Sequence, residues 1–194
     1  CTEDGVTYDS FVKDGNKKAI LRKYAASSND VVIPSSVKLG EDSYTVAIIG
    51  KSAFAGKTAI TSLVIPAGVE TIDADVFSAC NTLKWIQSKI ENPIDIVGKN
   101  VFANSTALLF ISSDKVAEYK AKGWNFFNIF VGDRKETTID GWTYVYSTGD
   151  KKAILTKVGN IGKSLTIDGT IEIGKTEYTV TAIAEAVFKG KTTT

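Results

Sequence analysis

Large apolar residues return along this chain at a spacing too long for a single helix and too regular for loops. Ile49, Phe54, Ile60 and Leu63 recur 23 residues later as Ile72, Phe77, Leu83 and Ile86. A looser third turn follows as Val97, Phe102, Leu108 and Ile111, with 25 residues between its phenylalanine and the one before. A period of about 20–29 residues belongs to solenoids, where each coil supplies one short strand and one return segment. No coil buries its apolar side alone, so neighbours must stack. Phe54, Phe77 and Phe102 are therefore expected to form a ladder inside the stack, with repeat strands at 60–65, 83–88 and 108–112.

A second, longer repeat sets the domain organisation. Lys17 to Thr58 aligns without a gap on Lys151 to Thr192, with 16 identities in 42 positions. Lys17-Lys18-Ala19-Ile20-Leu21 returns as Lys151-Lys152-Ala153-Ile154-Leu155, and Tyr44-Thr45-Val46 as Tyr178-Thr179-Val180. Upstream, Asp4-Gly5-Val6-Thr7-Tyr8 matches Asp140-Gly141-Trp142-Thr143-Tyr144. The expected division is a module over 1–133, with a hairpin at 4–24, repeats at 30–112 and a cap at 113–131. An incomplete second copy follows over 136–194, joined by the charged linker Gly132 to Thr137. The second copy stops where the first copy's coils begin, which reads as a fragment of a longer array, with a stack supplied by a partner chain as the alternative.

Local patterns fill in the elements. Val6 to Val12 and Lys18 to Tyr24 flank Asp14-Gly15-Asn16, a hairpin turn of the favoured kind. Asp-Gly pairs at 4–5, 140–141 and 168–169 also sit where turns are wanted. Tyr44 to Ile48 reads as a short strand. Asp114 to Lys122 reads as a helix, with Ser113 or Asp114 as N-cap and Gly123 at its end. Val116 and Tyr119 on that helix, with Trp124, Phe126 and Phe127 after it, are expected to plug the open end of the stack.

The stretches Leu63 to Ile72 and Asp75 to Leu83 resemble the leucine-rich repeats of BspA-like bacterial surface proteins. Val32-Ile33-Pro34-Ser35-Ser36-Val37 is similar to the opening line of such a repeat, and Ser113 to Trp124 to the helical terminator of many such arrays. Asn92-Pro93-Ile94-Asp95 departs from the pattern in the third coil. The resemblance covers roughly residues 30–130 and 164–192. It implies a β-rich α/β chain: a right-handed leucine-rich-repeat solenoid of short parallel strands, with an N-terminal hairpin and a capping helix in the first module. It also implies a bacterial surface protein that adheres to host matrix proteins or to other cells.

Composition narrows the chemistry. The chain has no histidine, which removes Ser-His-Asp and Cys-His nucleophiles and every His-containing zinc site. Its two cysteines cannot make a four-thiolate zinc site either. With 23 basic against 22 acidic residues and a net charge of +1, it lacks the basic excess that nucleic-acid binding uses. Glu70, Asp73 and Asp75 lack the spacing of a calcium loop, and Lys13, Lys17, Lys18, Arg22 and Lys23 read as a solvated strand face. Cys80 is expected to pack as a small apolar group, unpaired with Cys1. The chain opens at Cys1 and contains no methionine, which reads as a processed or a trimmed chain, and if processed as an export product carrying lipid on Cys1. The reading is of a non-enzymatic protein without metal or cofactor, at the cell surface or secreted, touching membrane only through that lipid.

Alternation along the strands places the binding candidates. With Leu63, Ile65, Ile86 and Ile111 inward, Ser62, Val64, Trp85, Gln87, Phe110 and Ser112 face out. Asp30 and Val32 hold the matching places upstream. Trp85 and Phe110 are expected to be neighbours on the sheet surface, exposed, and with Ser62 and Gln87 to anchor a host or bacterial surface macromolecule. Carbohydrate stacking on the two rings is the alternative.

Overall fold

The computed structural model describes all residues except 98, 103–105, 126–127, 162–164, 190 and 192–194. Phe126 and Phe127, two of the expected plugging residues, lie outside the described residues. The chain divides into two compact units, Cys1–Ile129 and Phe130–Thr194.

The first unit contains β1 (Thr2–Glu3), β2 (Val6–Lys13), β3 (Asn16–Tyr24), β4 (Asp30–Val32), β5 (Ser36–Leu39), β6 (Asp42–Ile49), β7 (Ser62–Ile65), β8 (Thr71–Ile72), β9 (Trp85–Ser88) and β10 (Leu108–Ile111). A 3-10 turn, Ser113–Lys115, then runs into the helix α1 (Val116–Ala121). One sheet has the order β1-β2-β3-β6-β5, with β8 alongside β6. The hairpin between β2 and β3 closes through Asp14 and Gly15, both at positive φ (50° and 76°). That pair of angles matches the right-handed twist of the flanking strands. The pairs Asp4-Gly5 and Asp140-Gly141 repeat the geometry, whereas neither Asp168 nor Gly169 adopts positive φ.

The second sheet carries the repeat strands, and within the first unit its order is β10-β9-β7-β4. These strands pair in parallel: Leu63 lies beside Val31 on one side and Ile86 on the other, and Ile86 lies beside Leu109. Threonine ties one coil to the next, since Thr82 Oγ1 donates to the carbonyls of Thr58 at 2.6 Å and Ile60 at 2.9 Å. Behind the sheet, the expected phenylalanine ladder is present and longer than the repeat alone indicates. Ring centroids are 4.8 Å apart for Phe54–Phe77 and 5.0 Å for Phe77–Phe102. Tyr24 extends the column at one end, 5.1 Å from Phe54, and Trp124 at the other, 5.6 Å from Phe102. Tyr119 stands edge-on to Trp124 at 5.1 Å. Offset and tilted rings at these separations attract beyond the effect of burial, by about 0.5–1.5 kcal/mol per pair.

After α1, Gly123 takes φ +86°, and the Trp124 N–H donates back to the Tyr119 carbonyl at 3.1 Å. This bond satisfies a carbonyl that the helix end leaves open. The expected side-chain N-cap is absent: neither Ser113 nor Asp114 caps the helix. Instead Ser112 Oγ donates to the Asp114 carboxylate, holding that carboxyl below its usual pKa.

Cys80 belongs to the core beside this column and is unpaired with the exposed Cys1. Burial pushes its thiol up to about 11. Since the thiolate is the reactive form, Cys80 is expected to alkylate at least ~100-fold more slowly than Cys1 at pH 8, and at a similar rate in denaturant. Peptide mapping after timed iodoacetamide treatment checks this.

The second unit contains most of β11 (Ile129–Val131), the strand in which the division falls, and β12 (Arg134–Ile139), β13 (Trp142–Ser147), β14 (Lys152–Lys157), β15 (Thr170–Ile173) and β16 (Thr176–Ile183). Residues expected to be linker, Arg134 to Thr137, are strand: they pair antiparallel with β13 as β1 pairs with β2. Thr137 and Ile139 turn to one half-buried face, and Ile139 packs on the second unit's core, which outweighs the charges at 134–136.

The order β12-β13-β14-β16-β15 reproduces that of the first unit down to its irregularities. The Thr7/Tyr8 shift in register returns at Thr143/Tyr144, and the Ala19/Ile20 shift at Ala153/Ile154. Lys57 Nζ donates to the Ala25 carbonyl at 3.1 Å, and Lys191 Nζ to that of Gly159 at 3.0 Å. The copies differ in cover. Ile49 and Phe54 are fully buried, while Ile183 and Phe188 are 46% and 36% exposed. In the first unit Ile49 pairs with Ile72, and Phe54 is stacked between Tyr24 and Phe77.

Candidate binding surface

Parallel pairing in register lines up the outward side chains of successive coils in two rows. The first is Asp30, Ser62, Trp85 and Leu108; the second is Val32, Val64, Gln87 and Phe110. Phe110 thus faces outward as expected but stands opposite Gln87, not Trp85. The reason lies in the third coil's spacing. Its phenylalanine comes 25 residues after Phe77, whereas its strand comes 23 residues after β9, pairing Leu109 with Ile86. A slip of two residues keeps the face and changes the row.

Exposure departs further from expectation. Phe110 has no solvent-accessible surface, and Gln87 is only 9% exposed, its Nε2 donating to the Phe110 carbonyl at 3.3 Å. Trp85 and Phe110 do touch, edge to face at 6.5 Å, but only Trp85 retains an accessible surface, and that in part. The pair is therefore not an open two-ring platform. The exposed part of the face lies at its other end. Val32 is 69% exposed, Asp30 is exposed, and Ser62, Val64, Trp85 and Leu108 are half-buried. Asp30 is held firmly: Ser28 Oγ donates to its carbonyl at 2.6 Å, and Thr61 Oγ1 to its carboxylate at 3.3 Å.

Beside this end the first hairpin and β4–β5 enclose a cleft of about 440 Å³, with Tyr8 and Tyr24 in its floor and Asp4 and Asp30 among its lining residues. Sequence reasoning missed it, because its walls come from segments far apart in the chain.

The other charged candidates are spent on neighbours. Lys18 pairs with Glu70, Lys17 with Asp42, and Arg22 with Asp9 at 2.7 Å, so three carboxylates offset part of the charge on the basic strand face. Asp73 accepts the Lys51 N–H at 2.9 Å, and Asp75 sits in a turn at φ +61°. Among the described residues no three Cys, Asp or Glu side chains gather as a metal site. Tyr119 is buried and pushed up to about 12, with its hydroxyl donating to the Ile90 carbonyl at 3.1 Å and meeting Ser88 Oγ at 2.7 Å. With Cys80 near 11 as well, both groups are protonated at neutral pH.

No curated protein matches this chain. Among solved structures, a leucine rich cell surface protein from Faecalibacterium prausnitzii A2-165 is similar at 24% identity, over 56% of this chain and 26% of that one, with a TM-score of 0.40. The chain thus spans about a quarter of that neighbour's length. The family model for the BspA type leucine rich repeat region matches residues 47–129, in six copies. That match spans Phe54, Phe77, Phe102 and Trp124 and the parallel strands β7, β9 and β10, and over these residues the chain is similar to the BspA type leucine rich repeat region.

Proposed function

We propose that this is an exported, non-enzymatic surface protein that binds a macromolecular partner, a protein, through the outer face of its repeat sheet. In this reading the coils form a right-handed solenoid closed by α1 and Trp124. The hairpin-led module recurs as a second copy, and the protein acts at a bacterial surface. The reading draws on the repeat family and on the words "cell surface protein" borne by a structural neighbour. The observation that carries it is Val32, an apolar side chain 69% exposed on a parallel sheet backed by a continuous ring column. A rigid, partly apolar face meets a protein at little entropic cost. Adhesion needs area and shape rather than bond-making. Carbohydrate stacking is less favoured, because one of its two rings, Phe110, is fully buried.

The test is binding of the full chain to arrays of extracellular matrix proteins and of glycans. The variants Ser62→Glu and Trp85→Ser are compared at matched melting temperature. A buried tryptophan anchor is worth about 2 kcal/mol or more in an interface, roughly 30-fold in affinity. A protein ligand that both variants lose at least 10-fold supports the reading. Unchanged binding by both sinks it, and retention on glycans alone favours the accessory carbohydrate role.

A further inference from the structure

The cleft beside β4 has a composition that selects its occupant. Its floor is largely apolar: Val6, Tyr8, Tyr24 and Val37 are all buried. Val32 and Pro34 stand exposed among the lining residues. The charged lining residues are two carboxylates, Asp4 and Asp30, with no lysine or arginine among them. Neither carboxylate forms an ion pair among the described residues, in contrast to Asp9, Asp42, Glu70 and Asp150. Lys57 reaches the Tyr24 ring, 5.6 Å from its centroid, but its ammonium is committed to the carbonyls of Ala25 and Ala26 at 3.1 and 2.8 Å.

The second unit supplies an independent observation. Tyr144, the counterpart of Tyr8, is buried in its own apolar cluster. Burial raises its hydroxyl pKa, and so do the negative charges of Asp168 and Asp140. Asp140 is the counterpart of Asp4, but Asp168 takes the place of Pro34, while the place of Asp30 is taken by Ser164. The copy has moved one carboxylate along the chain and still has two beside the buried tyrosine.

We propose that this cleft receives a lysine or arginine side chain of the protein partner, its aliphatic stem against Val32, Pro34 and Val37 and its cationic head at Asp4 and Asp30. Such side chains carry an apolar stem and a charged tip, which is the chemistry the lining offers. A sugar needs an exposed ring face, and both tyrosine rings here lie in the buried floor. With a net charge of only +1, the chain as a whole neither attracts nor strongly repels cations, so any selectivity is local. For its occupant the inference rests on the partner-facing reading of the sheet, because Asp30 and Val32 belong to both surfaces.

The test is amide-resolved NMR titration of the full chain with blocked tripeptides Ala-Lys-Ala and Ala-Arg-Ala, against Ala-Glu-Ala and chitotriose. The expected result is saturable shifts at Val6, Ala26 and Val37 with the basic peptides alone. Asp4→Asn with Asp30→Asn weakens them at least ~10-fold, and Asp9→Asn, which removes a paired surface carboxylate, leaves them unchanged. Shifts with chitotriose or the glutamate peptide alone, no saturable shift with the basic peptides, or equal loss in the Asp9 variant overturns the proposal. The two readings fail separately. Loss of peptide binding at the cleft leaves the Trp85-dependent partner binding standing, and indifference to Trp85→Ser leaves the peptide shifts standing.

Discussion

Phe77→Ala is expected to lower the unfolding free energy of the first unit by about 3–5 kcal/mol, the usual cost of emptying a buried phenylalanine site. Phe77 is 1% exposed and stands mid-column, 4.8 Å from Phe54 and 5.0 Å, nearly parallel, from Phe102. Its backbone is fixed as well, the N–H donating to the Val101 carbonyl at 3.0 Å. The site cannot collapse around the void, because each neighbouring ring is held by its own coil. In a stacked array each coil touches only the next, so a gap in the middle separates what lies on either side. The internal control is Phe188→Ala: this ring is 36% exposed, and its loss is expected to cost less, about 1–2 kcal/mol. Urea titration followed by tryptophan fluorescence reads both, with Trp85 and Trp124 reporting the first unit and Trp142 the second. A Phe77→Ala loss below about 1 kcal/mol contradicts the column as the core of the stack.

The column was legible because identical side chains at nearly constant spacing have one arrangement that buries them all. Its extension to Tyr24 and Trp124 was less so, since those rings come from a hairpin strand and from the residue after a helix end. Neither shares the repeat's spacing. The sheet face was legible in parity and not in row: alternation sorted Phe110 outward, while the uneven third coil hid that Leu108, not Phe110, continues the row of Trp85. Exposure was beyond reach, because outward on a strand means exposed only where nothing packs above, and Phe110 is covered while Val32 is not. Charge patterning also misled at 132–137, where Arg134 to Thr137 open an edge strand paired with β13 rather than a linker. The cleft was illegible for a topological reason. Asp4, Tyr24 and Asp30 meet only because β1–β3 and β4–β5 fold beside each other, and no local pattern records that.

Trp124→Ala is expected to cost about 3–5 kcal/mol, although it follows the helix rather than lying on a coil. The indole is fully buried against Phe102 and Tyr119, and its Nε1–H donates to the Ile94 carbonyl at 2.9 Å. That carbonyl lies in Asn92-Pro93-Ile94-Asp95, the line that departs from the repeat pattern, so the indole supplies the hydrogen bond that an irregular coil needs. Trp124→Phe separates the two contributions. It keeps most of the ring contact and leaves the carbonyl unpaired, at an expected cost of about 1–3 kcal/mol. The backbone route to this position is equally constrained. A Cβ on Gly123, at φ +86°, meets Val97 Cγ2 at 2.5 Å and the Val97 backbone nitrogen at 3.2 Å, so the reversal after α1 demands glycine. Hydrogen exchange distinguishes a general loss from a local one. If Trp124 closes the end of the column, the amides of Leu108–Ile111 lose protection before those of Ser62–Ile65 in Trp124→Ala. Simultaneous loss in both strands indicates instead that the first unit unfolds as one block, with no weaker end.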